Sequence, residues 1–186
     1  MIIIANYIQC IITFVKTGKV LSAPVRSCFS CGYMGCLHRH GCYSRNLITF
    51  KKCYRVTIQR YKCPSCGKTC SVRLFFILPY FQYSYFVILA VLFQSFVCKQ
   101  SYNRIILSLR ALSPWSSITS SHLSFYCNRF KRCYPQIRLF FISIGIFHEE
   151  DFNQISAVKA IVNFSVASNF PYDYHDSFHK FFMQKP

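Results

Sequence analysis

The sequence carries the motif Cys-x-x-Cys-Gly twice, as Cys28-Phe-Ser-Cys31-Gly32 and as Cys63-Pro-Ser-Cys66-Gly67. Two residues between cysteines let both sulfurs face one point at a tight turn. The glycine after the second cysteine supplies the backbone freedom that such a turn requires. Two turns bring four thiolates, which close a tetrahedral zinc shell with no open position. Residues 32–62 leave room for a hairpin between the turns. A segment of ~45 residues can scarcely build a core of its own, and a metal replaces that core. The expected ligands are Cys28, Cys31, Cys63 and Cys66, around one structural zinc ion. Two disulfides, or an unligated redox pair, are the other readings of the same spacing.

The chain has 12 cysteines in all, so the remaining ones need a reading too. Cys36, Cys42, Cys53 and Cys70 lie inside or beside the motif pair, as do His38 and His40. They fall outside the spacing, and the expectation is a buried small side chain or a surface position for each. Cys10, Cys98, Cys127 and Cys133 are expected in the core. No Lys or Arg precedes Lys16, so the positive start of a secretory signal is missing, and no small-residue cleavage site is evident. Metal-bound thiolates in a reducing cytoplasm are therefore expected rather than secreted disulfides.

Charge bounds the partner. There are 22 Lys and Arg against five acids, and the acids all come late: Glu149, Glu150, Asp151, Asp173 and Asp176. Of the basic residues only Lys159, Lys180 and Lys185 follow residue 148, so residues 1–148 hold 19 basic side chains and no carboxylate. A solvated surface ordinarily mixes both signs. A surface of one sign needs a polyanionic partner or must tolerate its own repulsion. Nucleic acid is the leading partner, because each phosphate neutralised releases counterions. An anionic membrane surface is the rival, as residues 74–98 carry no charge and are long enough to span a bilayer. Pro79 interrupts that run, Gln82, Ser84, Gln94 and Ser95 dilute it, and its most apolar stretch, 85–93, has the length of a core helix. Membrane insertion is thus not expected.

Along the chain, residues 1–25 read as an apolar lead-in and a loop. Residues 26–78 form the ribbon. Within them Tyr54 to Tyr61 alternates, with Val56, Ile58 and Arg60 on one face and Arg55, Thr57, Gln59 and Tyr61 on the other. Thr69 to Phe75 reads as a return strand. Residues 79–135 read as three helices. Tyr83 to Cys98 has Ser84 near its start, Tyr102 to Ala111 has Ser101 as N-cap, and Ile118 to about Tyr134 places Leu123, Tyr126, Phe130 and Cys133 on one face. Residues 136–186 give no clear pattern. The expected class is α+β: short antiparallel strands with two knuckles, then a helix-turn-helix-like region.

Four stretches carry a resemblance: Cys28-x-x-Cys-Gly, Leu37-His-Arg-His-Gly-Cys-Tyr-Ser-Arg, Ile58-Gln-Arg-Tyr-Lys-Cys-Pro-Ser-Cys-Gly-Lys-Thr and Leu78-Pro-Tyr-Phe-Gln-Tyr-Ser. Over residues 26–135 the chain resembles the N-terminal part of bacterial insertion-sequence transposases, and an uncharacterised zinc-ribbon family related to them. The resemblance implies a zinc ribbon ahead of a helix-turn-helix, together binding double-stranded DNA. Such transposases also carry a long catalytic domain with three metal-binding carboxylates. The five late acids here are too few and too late for it. Cys70 stands where relatives more often have an aromatic residue. The implied protein is a DNA-binding module without the enzyme, with no small-molecule substrate.

In a helix-turn-helix the start of the last helix faces base edges, which nominates Ser117, Thr119, Ser120 and His122. An exposed helix end with no reading role accounts for the same residues. Phosphate contacts are expected from Arg39, Arg45, Lys51, Lys52, Arg55, Arg60, Lys62 and Lys68 around the ribbon, and from Arg129, Lys131 and Arg132 in the third helix. An RNA-binding ribbon is the alternative, with Tyr43, Tyr54 and Tyr61 stacking bases. A protein-interaction ribbon and a small membrane-associated protein are others. No enzyme is expected: His148 beside Glu149 and Glu150 makes no recognisable catalytic arrangement.

Overall fold

The computed structural model describes residues 2–5, 14, 17, 19–20, 25–28, 30–146, 153–167, 170–178 and 182–184. Cys10, His148 and the acidic run 149–151 lie outside them. The protein is α+β and divides into two compact units, residues 1–47 with 54–77 and residues 48–53 with 78–186.

The first unit is a small sheet. Its strands are β1 (Ile2–Ala5), β2 (Lys19–Val20), β3 (His38–Ile48), β4 (Cys53–Lys62) and β5 (Thr69–Leu74). β3 pairs with β4. The connection 49–52 is too short for anything but an antiparallel return. β4 then pairs antiparallel with β5, setting Arg60 opposite Ser71, Tyr61 opposite Cys70 and Lys62 opposite Thr69. Val56 and Ile58 alternate along β4 and are fully buried, as their spacing predicts. Tyr61 belongs to the expected outer face, yet it is buried as well. Two pairings lie outside the expected antiparallel set: β1 runs parallel to β5 and β2 parallel to β4. β3 is also longer than any strand signal in its residues. Most of it is exposed, and only Leu47 and Ile48 at its end are buried, so no apolar alternation marks it. Leu37, Leu47, Val56, Ile58, Val72, Leu74 and Ile77 form the core of this unit, and Cys28, Cys63 and Cys70 are part of it. The sulfur-bearing turns therefore close one side of the apolar cluster.

The second unit is helical: α1 (Tyr85–Leu92), α2 (Tyr102–Leu112), α3 (Ser120–Ser143), α4 (Gln154–Ala167) and α5 (Phe170–Phe178). Ser84 and Ser101 precede α1 and α2 at the N-cap position, as expected from sequence, but neither side chain makes a capping hydrogen bond. α1 continues into a wider π-helical turn over Phe93–Val97, closed by the Cys98 amide donating to the Phe93 carbonyl. The extra residue in that turn aims three side chains at neighbouring helices. Gln94 Oε1 accepts from Ser108 Oγ of α2, Ser95 Oγ accepts from the Cys127 thiol of α3, and the Phe96 ring packs on Phe130. Residues 48–53 contribute backbone acceptors: Ser113 Oγ donates to the Phe50 carbonyl and Trp115 Nε1 to that of Thr49.

The third expected helix differs at both ends. α3 begins at Ser120 because Thr119 and His122 build a reciprocal cap, and it runs through Pro135 to Ser143. Proline removes one backbone donor and ordinarily ends a helix. Here the buried face continues past it, from Leu123, Tyr126, Cys127, Phe130 and Cys133 to Ile137, Phe140 and Phe141. Packing on both sides of Pro135 outweighs one missing hydrogen bond. That packing organises the C-terminal region: Phe141 stacks on Phe170 of α5 with ring centroids 5.5 Å apart and 4° between planes, and Phe140 meets Phe164, Phe170 and Tyr174. Cys127 and Cys133 are buried, as expected, but Cys98 is exposed, because it ends the π-helical turn instead of facing the core. Among the described residues no helix is long and apolar enough to cross a membrane.

Candidate metal centre

The two Cys-x-x-Cys-Gly turns fold alike. In the first, the Gly32 amide donates to the Cys28 carbonyl at 2.8 Å and the Cys28 amide to the Tyr33 carbonyl at 2.9 Å. In the second, the Gly67 amide donates to the Cys63 carbonyl at 3.0 Å and the Cys63 amide to the Lys68 carbonyl at 2.9 Å. Each loop thus closes on its own first cysteine. Gly32 has φ +72° and Gly67 φ +68°, and a Cβ at either would meet nothing within 4 Å. Glycine is required there by the left-handed backbone and not by crowding. Lys68 Nζ donates to Ser30 Oγ at 2.7 Å and so ties one knuckle to the other.

This places the four sulfurs within 4.8 Å of one another. Cys28 Sγ lies 3.7 Å from Cys66 Sγ, and Cys31 Sγ lies 3.7 Å from Cys63 Sγ. A disulfide needs about 2.05 Å, so neither pair is bonded. A tetrahedron with metal–sulfur bonds of about 2.3 Å has edges of about 3.8 Å, which the observed separations match. Two of these thiols, Cys28 and Cys66, are shifted in opposite directions. The Ser30 amide, donating to it, outweighs burial and holds the Cys28 thiol down to about 6. At Cys66 the Lys68 amide favours the thiolate, but desolvation and the three neighbouring sulfurs prevail and push it up to about 11. The cluster therefore stores protons that a divalent cation would displace. Cys28 and Cys63 are buried, Cys66 is half-buried and Cys31 is exposed, so a bound ion would be covered on its core side.

Among the described residues no other group of three or more His, Cys, Asp or Glu converges in this way. Cys36, Cys42 and Cys53 are exposed, and Cys70 is buried beside the cluster with its thiol pushed up by burial. The fold and site thus define an α+β protein with a four-cysteine cluster that could hold a metal ion. No protein-family model matches the chain, and neither a curated protein nor a solved structure does.

The remaining candidates are scattered more widely. In the sheet unit Arg39, Arg55, Lys62 and Lys68 are exposed, while Arg45 and Arg60 are half-buried. Arg60 donates to Thr69 Oγ1. Lys51 and Lys52 are exposed at the hairpin tip of the other unit. The three tyrosines nominated for base stacking are engaged. Tyr61 is buried, Tyr54 packs on Phe14, and Tyr43 Oη accepts a 2.6 Å bond from Arg73. Arg73 itself is 7% exposed and lies over the Tyr43 ring, 6.0 Å from its centroid. Its Nε and Nη1 have no hydrogen-bond partner among the described residues. Burial, and then the charge of Arg73, depress the neighbouring Arg45. A buried arginine in a stretch with no acid was not singled out by its sequence, where it reads as one more polar strand position.

In the helical unit α2 and α3 are joined by residues 113–119, a longer link than the three- or four-residue turn of a helix-turn-helix. Ser117 and Ser120 are exposed. Thr119 and His122 are bound to each other, with Thr119 Oγ1 2.8 Å from His122 Nδ1. Lys131 Nζ lies 6.0 Å from the Phe96 ring centroid. Arg129 and Arg132 line a cleft with Ser120, Ser124 and Asn128. Ser124 and Asn128 were missed in the sequence. The signal was present as a row of small polar residues at spacing four, opposite the buried face of α3.

Proposed function

We propose that this protein is a zinc-ribbon DNA-binding protein, transposase-like but without a catalytic carboxylate domain. Zinc is the metal that four thiolates in a closed tetrahedral shell suit best. Such a shell has no position for water or substrate, so the metal's role is structural. The observation that carries the binding assignment is the lack of any carboxylate in the first 148 residues, against 19 basic side chains. Among the described residues, Arg39, Arg55, Lys62 and Lys68 are exposed on the sheet unit, and Lys131 and Arg132 on α3. The sheet unit contains no acid that could neutralise its own cations, and the five acids of the chain all belong to the helical unit. A polyanion supplies the missing charge.

DNA is favoured over RNA because the tyrosines that would stack unpaired bases are occupied within the sheet unit. Six phosphate contacts predict a log–log salt slope of about −5 on duplex DNA. Fluorescence anisotropy of a labelled duplex with the zinc-loaded chain, from 50 to 200 mM salt, measures it. Binding that is undetectable at low salt, or insensitive to salt, removes the assignment.

A further inference from the structure

We propose that one flank of α3 grips the phosphodiester backbone, so that this helix lies along a strand by its side and does not enter a groove by its tip. The proposal rests on the nucleic-acid reading above and assigns it a site. The helical unit has a cleft of about 640 Å³, to which α3 contributes Ser120, Ser121, Ser124, Asn128, Arg129 and Arg132. Steps of three and four residues put these in two adjacent rows on one flank of the helix. The other side of the same helix buries Leu123, Tyr126, Cys127, Phe130 and Cys133. Tyr102, at the start of α2, is part of the opposite wall.

Apart from Phe125, which also lines the cleft, the side chains that α3 contributes are of one chemical kind. Hydroxyls, an amide and two guanidiniums offer hydrogen-bond donors, of which the Asn128 amide gives one to Ser124 Oγ at 3.3 Å, and among the described residues no carboxylate lines the cleft. Donors of this kind, two of them charged, suit the oxygens of phosphate. Arg129 is already positioned: its guanidinium lies 5.6 Å from the centroid of the Phe125 ring, one turn back. Its Nε is buried and has no hydrogen-bond partner among the described residues. From Ser120 to Arg132 the flank extends about 18 Å along the helix. That length suits a row of phosphates, which recur every 3.4 Å or so of axis on one strand. A single free phosphate would need only one end of it. The tip of the helix is less suited, because the Thr119 and His122 side chains are spent on each other.

The test uses the full zinc-loaded chain and two labelled duplexes of unrelated sequence, titrated from 50 to 200 mM salt. Arg132→Gln is expected to weaken both duplexes equally, by about tenfold, and to make the salt slope shallower by about one. Arg132→Lys, which keeps the charge, retains the slope. Ser124→Ala gives a loss of a few-fold on both duplexes. If the wild-type chain binds and Arg132→Gln matches it in affinity and slope, the flank is not the site while the nucleic-acid reading stands. Loss on one duplex alone means base reading and overturns the proposal. If inorganic phosphate stabilises the wild-type chain saturably but not Arg132→Gln, with DNA affinity equal in both, the cleft takes a free phosphate and the proposal is wrong. A wild-type chain that binds neither duplex removes the reading and the site together. Equal melting temperatures for wild type and variants separate lost contacts from lost fold.

Discussion

Replacing Cys63 by serine is the sharpest perturbation of the candidate metal centre. Its side chain is fully buried and its sulfur lies 3.7 Å from that of Cys31. Serine keeps the size and leaves the backbone bonds of the knuckle free to form, but at neutral pH it offers a hydroxyl in place of a thiolate. With free zinc at a thousand times its dissociation constant, binding stabilises the loaded fold by about 4 kcal/mol. A unit of roughly 70 residues is expected to have only about 4–10 kcal/mol of stability in total. Losing the metal thus removes a share comparable to the whole. Hydrogen exchange read by mass spectrometry should report deprotection of β4 and β5 in Cys63→Ser, with α1 to α3 much less affected. Metal analysis should fall from one zinc per chain to less than a tenth. Cys36→Ser and Cys42→Ser, at exposed positions, should keep both the zinc and the protection. A Cys63→Ser chain that still holds one zinc, or one that holds none with β4 and β5 fully protected, would refute a metal-dependent sheet built on these four ligands.

Gly67→Ala should cost about 1–2 kcal/mol through its left-handed backbone alone, since open space surrounds the position; chelator competition should find zinc retained but held more weakly. Zinc affinity should rise with pH, because the free cluster carries more protons than the loaded one. Between about 6 and 11 the Cys28 thiol is ionised and the Cys66 thiol is not, so binding near neutrality releases protons, and below about 6 affinity should fall steeply; calorimetry in buffers of different ionisation enthalpy counts the protons, and zero released would contradict the assignment. Phe141→Ala should destabilise the helical unit by about 3–5 kcal/mol, read from denaturant unfolding. Pro135→Ala should raise its melting temperature, by restoring an amide donor inside α3, with a gain of up to about 3 kcal/mol.

What the sequence makes legible here depends on whether a residue's signal is local. The Cys-x-x-Cys-Gly turns are local, and they predict which sulfurs meet. β4 and the starts of α1 and α2 are local too, written in the alternation of Val56 and Ile58 and in Ser84 and Ser101. β3 is illegible because exposed residues such as His38, Arg39 and His40 carry no period. Its strand character comes from β4 alongside it. Tyr61 defeats the two-residue rule because it is buried despite lying on the outer parity of β4. Helix α3 outruns Pro135 for a reason found some thirty-five residues away, in rings such as Phe170. One local signal in the tail was readable. Asn153 caps α4, its Oδ1 accepting from the Ile155 and Ser156 amides while Ser156 Oγ accepts in return from the Asn153 amide.

Arg73 points to a property of the sheet unit as a whole. It is an interior cation held by a phenol and a ring, in a stretch with no anion to attract it. Every charge–charge term between side chains there is repulsive, apart from those that involve the thiolates. Added salt weakens repulsion as readily as attraction. The unit should therefore melt at a higher temperature in 0.5 M salt than in 0.05 M, over the same range in which the proposed grip on a polyanion would fade. Conditions that release the proposed partner are the ones in which the sheet stands best by itself, and contact with that partner should act on its folding as salt does.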